Sequence, residues 1–112
     1  MAVALVTDSN AQLPAAMVER LGVVVVPITV SLAGVNHLEG VDLSAAEAYR
    51  ALSEPGVEVA TAAPSPGRLM DTYGALVEGG ADAILSVHMG GELSATANNA
   101  RLAARAVDRL LE

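Results

Sequence analysis

The chain has no cysteine among its 112 residues. Disulfide bridges, zinc–thiolate sites and thiol catalysis are therefore excluded. It has only two histidines, and neither stands in a cluster of carboxylates, so we expect no bound metal. No apolar run approaches the roughly 20 residues that span a bilayer, and the first residues lack the basic start of a signal peptide. We therefore expect a cytoplasmic protein with no membrane span.

Aromatic and basic residues are also scarce. Two Tyr supply all the aromatic side chains, so the chain lacks the platforms on which nucleic-acid-binding proteins stack bases. Six basic residues stand against 13 acidic ones, and the formal net charge is −7. A polyanion or an anionic membrane surface would be repelled by this charge. We expect no nucleic-acid partner.

What is abundant is Val, Ala and Leu, and 53% of the residues are apolar. A chain of this length has enough surface to bury for one core, with roughly two thirds of the unfolded surface removed from water. Short β-branched runs alternate with segments whose apolar residues recur every three or four positions. This alternation predicts a single domain over residues 1–112. Its expected fold class is α/β, with three layers and a mostly parallel sheet that carries helices on both faces.

Glycine, proline and capping residues place the boundaries of these elements. Pro14 opens a helix and Gly22 ends it, whereas Pro27 marks an edge or a bulge because it cannot donate to a ladder. Gly34 lies in a segment that favours a small hairpin, and Ser44 starts a helix with a capping box. The predicted strands cover residues 2–7, 23–30, 57–61 and 83–89, and the predicted helices begin near residues 14, 44, 66 and 93.

The segment from Thr61 to Gly67 has an anion-binding pattern without any basic residue. Ser65 is a good N-cap and Pro66 suits the first helical position, so the amides that follow point ahead of the helix. The helix dipole adds a modest attraction for negative charge. The alternative is that Ser65 only caps its helix and Thr61 only ends a strand. Ligands of open α/β sheets bind beyond the carboxyl ends of strands, where we expect three polar loops. These loops are Thr7–Asn10, Thr61–Gly67 and Gly90–Thr96.

Asp8 and Ser9 follow the first predicted strand and allow two interpretations. One makes them an acid and a nucleophile, but no His lies near them in sequence and no oxyanion hole is evident. The favoured interpretation is that Asp8 accepts backbone N–H groups in its loop. Gly90 and Gly91 precede a helix as in a phosphate loop, yet the nucleotide-binding fingerprints are missing. We therefore predict no catalytic residue and no cofactor.

Five short motifs follow one another in the order found in a known family. Residues 7–14 read TDSNAQLP, residues 24–30 read VVVPITV and residues 40–44 read GVDLS. Residues 61–67 read TAAPSPG and residues 86–96 read SVHMGGELSAT. Together these motifs extend over nearly all of the chain, and they resemble the amino-terminal domain of the DegV family.

This resemblance implies a function. Members of the family bind a long-chain fatty acid and, in some bacteria, present its carboxylate to a separate fatty acid kinase subunit. The resemblance implies that hydroxyls of Thr61 and Ser94 hold the carboxylate, and that the protein is not itself an enzyme. Further candidate contacts are Asp8, Ser9, Ser65, Gly90, Gly91 and Thr96. Ala62 and Ala63 stand where the family usually has Ser and Gln, and Gly90 and Gly91 replace a Ser pair.

A second hypothesis belongs to a different functional class. Family members are normally longer than this chain, and the resemblance covers only their amino-terminal domain. The chain would then be a truncated or standalone domain that binds no ligand and forms a homodimer through an exposed apolar face. A fatty acid that co-purifies with the protein would separate the carrier from this alternative.

Overall fold

A computed structural model describes residues 2–89 and 94–111 of the chain. The fold is α/β, as the sequence predicts. The strands are β1 Val3–Asp8, β2 Val24–Val26, β3 Thr29–Leu32, β4 Val35–Leu38, β5 Val59–Ala62 and β6 Ala83–Val87. The helices are α1 Ala15–Leu21, α2 Ala45–Leu52, α3 Pro66–Glu78 and α4 Thr96–Leu111. None of the helices in these described ranges is long and apolar enough to cross a membrane.

The first sheet is parallel and has the strand order β2-β1-β6. Successive side chains of β1 alternate between its two faces, and Val6 lies on the face that α3 and α4 cover. A core of seven buried residues fills this space, with Leu69 and Ala103 completely shielded from solvent. Leu69 and Tyr73 lie four residues apart on one face of α3, and both are buried in this core.

The second sheet is antiparallel and has the order β4-β3-β5. The sequence pattern did not separate it from the parallel sheet, because residues 23–30 form one run that is apolar except for Thr29. In the structure this run is two strands, and Pro27 lies between them. A residue without an N–H cannot continue the ladder, so the chain leaves the parallel sheet there and enters the antiparallel one.

The antiparallel sheet has a small core of its own. Ile28, Val30 and Leu43 are buried together, and Ala48 of α2 packs against them. The predicted hairpin is confirmed as β3 and β4, which are joined by Ala33 and Gly34, both at positive φ. The two sheets thus have separate cores of seven and three buried residues within the described part of the chain.

Helix capping follows the sequence signals closely. Ser44 and Glu47 form the predicted capping box of α2, and Gly22 ends α1 with a φ of 63°. The Ser65 hydroxyl accepts the N–H of Arg68 at 3.1 Å, and Pro66 is the first residue of α3. The start of α3 is therefore fixed by residues 65 and 66, immediately after the loop that leaves β5.

Candidate functional site

Asp8 and His88 form a buried pair where β1 and β6 end. The carboxylate Oδ2 of Asp8 lies 2.6 Å from Nδ1 of His88, and the two side chains are 2% and 3% exposed. A carboxylate only accepts hydrogen bonds, so the tautomer that fits this pair has its N–H at Nδ1. The other carboxylate oxygen accepts the N–H of Asn10 at 2.9 Å. The predicted loop-capping role of Asp8 is therefore confirmed, while its contact with His88 was not foreseen.

The hydrogen bonds continue from His88 into the core of the parallel sheet. Nε2 of His88 lies 2.6 Å from the Ser86 hydroxyl, which lies 2.7 Å from the hydroxyl of buried Tyr73. In the neutral imidazole, Nε2 accepts from Ser86 and Ser86 accepts from Tyr73. The resulting chain of four side chains joins β1, β6 and α3. The Ser86 oxygen is shared between His88 and Tyr73, and the network is closed, so we assign it a structural role.

Ser9 ties the parallel sheet to the antiparallel one. Its hydroxyl accepts the N–H of Ile28 at 2.9 Å, and Ile28 belongs to the small core beneath the antiparallel sheet. Pro27 has no backbone N–H, and the next N–H along the chain, that of Ile28, is bound by Ser9. Ser9 is therefore a joint between the two sheets, and its position depends on the turn that Asp8 caps.

Thr61 lies within β5, opposite Val30 of β3. Residues paired across strands point to the same face, so Thr61 shares the face of Val30, which is 4% exposed and part of the small core. Thr61 is nevertheless exposed. The sequence predicts Thr61 at the end of a parallel strand, but the structure places it in a strand of the antiparallel sheet, on the face that carries the small core.

Ser94 and Thr96 interact at the start of α4. The Ser94 hydroxyl lies 3.0 Å from the Thr96 hydroxyl and accepts the Thr96 N–H at 3.2 Å. Thr96 is completely buried, whereas Ser94 is half-buried. Of these two predicted contacts, Ser94 is the more exposed residue, and buried Thr96 holds its hydroxyl from the side of the core. Gly90 and Gly91 lie outside the described residues.

Asn99 of α4 joins one of the predicted loops to this helix, and sequence reasoning missed it. Its Nδ2 donates to the carbonyl oxygen of Pro64 at 3.0 Å. The segment between Thr61 and Ser65 is thereby held against the first turns of α4, close to Thr96. An Asn in a helical pattern gives no signal of such a contact, because it is indistinguishable from the adjacent and exposed Asn98.

A groove of about 690 Å³ lies between β6 and α4. Small side chains of α4, Ala97, Ala100 and Ala104, form one wall, and Ser86 and His88 are among the residues of the other. Thr61 and Ser94 do not line this groove. Within the described ranges, no group of three His, Asp or Glu side chains is arranged to hold a metal ion.

These features define an α/β domain in which a parallel and an antiparallel sheet are joined through Ser9 and Ile28. The family model for proteins described as uncharacterised members of the DegV family matches residues 2–111. The chain belongs to the DegV family. A DegV domain-containing protein of Streptomyces coelicolor is 43% identical over 103 residues, which are 92% of this chain and 36% of that protein.

Solved structures of the same family have the same fold. A fatty-acid-binding DegV family protein from Thermus thermophilus matches with a TM-score of 0.82 and 38% identity over 94% of this chain and 37% of that one. DegV of Bacillus subtilis, described as a fatty acid binding protein, matches with a TM-score of 0.88 and 28% identity over 96% and 38%. The chain therefore spans a little over a third of the length of these relatives.

Proposed function

We propose that the protein binds a long-chain fatty acid and holds its carboxylate on the hydroxyls of Thr61 and Ser94. The placement of Thr61 is the observation that carries this proposal. An exposed hydroxyl stands on the same sheet face as buried Val30, so a ligand with a polar head and an apolar chain meets both kinds of surface there. The relatives described as fatty acid binding proteins support the choice of ligand.

Hydrogen bonds from hydroxyls and amides suffice for such a headgroup. A carboxylate that leaves water needs about two or three donors to offset its desolvation. Thr61 and Ser94 supply two, and we propose Ser65, Gly90 and Gly91 as further contacts. Asp8, Ser9 and Thr96 would then support the site without contacting the ligand. Asp8 holds the turn after β1, Ser9 holds the two sheets together, and Thr96 holds Ser94.

We further propose that the protein is a carrier and not an enzyme by itself. It would present the bound carboxylate, in the cytoplasm, to a separate fatty acid kinase subunit. The sequence has no P-loop and no motif for holding magnesium and a nucleotide, so phosphoryl transfer would require a partner. In this proposal the fatty acid is the only ligand, and no cofactor takes part.

Displacement of a fluorescent fatty acid by palmitate tests the proposal. Thr61→Val removes the hydroxyl but suits a strand, so we expect the fold to persist. The lost bond to a charged group should weaken palmitate binding by about 1.5 to 3 kcal/mol, which is roughly 10- to 150-fold. Thr29→Val is the matched control, because Thr29 pairs with Ala62 on the opposite face of the same sheet. Equal affinities for the two variants would remove Thr61 from the site.

A second candidate function is homodimerisation without a ligand, and one surface favours it. Val3, Leu85 and Val87 are 53%, 54% and 57% exposed, and the register of β1 and β6 places them on one face of the parallel sheet. Native mass spectrometry of protein purified from cells distinguishes the two candidates. A bound mass equal to a fatty acid supports the carrier, whereas a ligand-free dimer supports the second candidate.

A further inference from the structure

The hydrogen bond between Asn99 and Pro64 joins two segments that lie 35 residues apart in sequence. Pro64 is among the fully buried side chains, and Asn99 is half-buried, so the bond is largely shielded from water. A shielded bond between an amide N–H and a carbonyl has little competition from solvent. The contact therefore fixes the segment before α3 against α4.

This contact lies between the segments that carry the two proposed ligand contacts. Thr61 precedes Pro64 by three residues, and Ser94 precedes Asn99 by five. The chain from Thr61 to Pro64 extends at most about 11 Å. The two sheets have separate buried cores, so packing between cores does not by itself set the distance from Thr61 to Ser94.

The stretch between β5 and α3 is stiff enough for the single hydrogen bond from Asn99 to help fix its orientation. Pro64 and Pro66 each have a preset φ, so the stretch between β5 and α3 has few conformations available. Ser65 is already engaged with the N–H of Arg68 as the cap of α3. The packing of α3 against α4 holds the end of this stretch, and the bond at the Pro64 carbonyl holds the residues before it against α4.

We infer that Asn99 is a positioning residue, which sets the separation of Thr61 and Ser94 and so makes the site selective for a carboxylate headgroup. This inference rests on the proposed fatty-acid site. Asn99 does not contact the ligand in this account. Its contribution is to keep two hydroxyls, one on β5 and one just before α4, at the spacing that one carboxylate requires.

The test compares an acid with an alcohol of the same chain length. Palmitate and hexadecanol share their hydrocarbon chain, and only palmitate presents a carboxylate. Asn99→Ala should weaken palmitate binding roughly three- to tenfold, as expected for one lost hydrogen bond, and leave hexadecanol binding within about twofold. Asn98→Ala is the matched control, because Asn98 is the preceding residue of α4 and its side chain is exposed. That variant should change neither affinity.

If Asn99→Ala destabilises the whole fold, binding of both ligands should weaken, and the ratio of the two affinities should stay constant. If Asn99→Ala weakens palmitate and hexadecanol binding by the same factor, or changes neither, the positioning role is overturned. If it does not fold, Asn99→Leu is the second variant, since Leu is a better helix former of similar size that cannot donate. The same change in the acid-to-alcohol ratio is expected from it. If the unsubstituted protein binds no palmitate, the proposed function fails, and this inference fails with it.

Discussion

The parallel and the antiparallel sheets of this domain have cores of very different size. The parallel sheet packs against two long helices and buries seven residues, together with a hydrogen-bonded chain from Asp8 to Tyr73. The antiparallel sheet buries three residues beneath one short helix, and most of β5 is exposed. The predicted carboxylate contacts are divided between them. Thr61 lies on the antiparallel sheet, and Ser94 lies at the start of α4, which packs on the parallel sheet. A ligand that contacts both residues would therefore connect a sheet with a large core to one with a small core, which we expect to open locally at a lower free energy.

Two leucines test this difference with the same chemical change. Leu69→Ala removes a fully buried side chain from the larger core, and we expect a loss of about 4 kcal/mol in the free energy of unfolding. Leu43→Ala in the smaller core should cost about 2 kcal/mol, since its surroundings can collapse more easily. Urea unfolding measures both. Equal losses, or a larger loss for Leu43→Ala, would contradict the comparison.

The buried polar chain is the next largest expected effect. Asp8→Asn replaces an acceptor of the His88 N–H by an amide and should lower the free energy of unfolding by about 1 to 3 kcal/mol. Asp71→Asn is a matched control on α3, where the side chain is exposed, and should change it by less than about 0.5 kcal/mol. Thermal unfolding of the two variants gives the comparison. Similar midpoints would show that the buried pair contributes nothing particular to stability.

Two helix caps provide the smallest contrast. Ser65→Ala and Ser44→Ala each remove a hydroxyl that accepts a backbone N–H, at a cost of about 1 kcal/mol. Because α3 belongs to the larger core, the first change should appear mainly as a lower global stability. The second should increase hydrogen exchange locally in α2, which rests on three buried residues. If both variants increase hydrogen exchange evenly over the whole domain, the expected difference between α3 and α2 is wrong.

The sequence predicts most of the elements because its signals are local. Ser44 with Glu47, Gly22, and Ser65 with Pro66 mark helix ends through contacts only a few residues apart, and all are confirmed. The division into two sheets was not predicted, since strand direction depends on pairing partners far away in sequence. Pro27 was the available signal, and it marks the point where one sheet ends.

The candidate site was harder to predict than the fold. The Asp8–His88 pair and the Asn99–Pro64 bond join residues 80 and 35 positions apart, and no local pattern reports them. One signal was present for the first: Asp8 and His88 each stand at the carboxyl end of a predicted parallel strand. Side chains in that position meet when the two strands are neighbours.

The most direct test of the central claim is a map of backbone amide shifts by NMR as palmitate and hexadecanol are added in turn. If the carboxylate rests on the hydroxyls of Thr61 and Ser94, the differences between acid and alcohol will concentrate at Thr61, Ala62, Ser94 and Thr96. Shift differences that concentrate instead along the groove between β6 and α4, away from those four residues, would contradict the account.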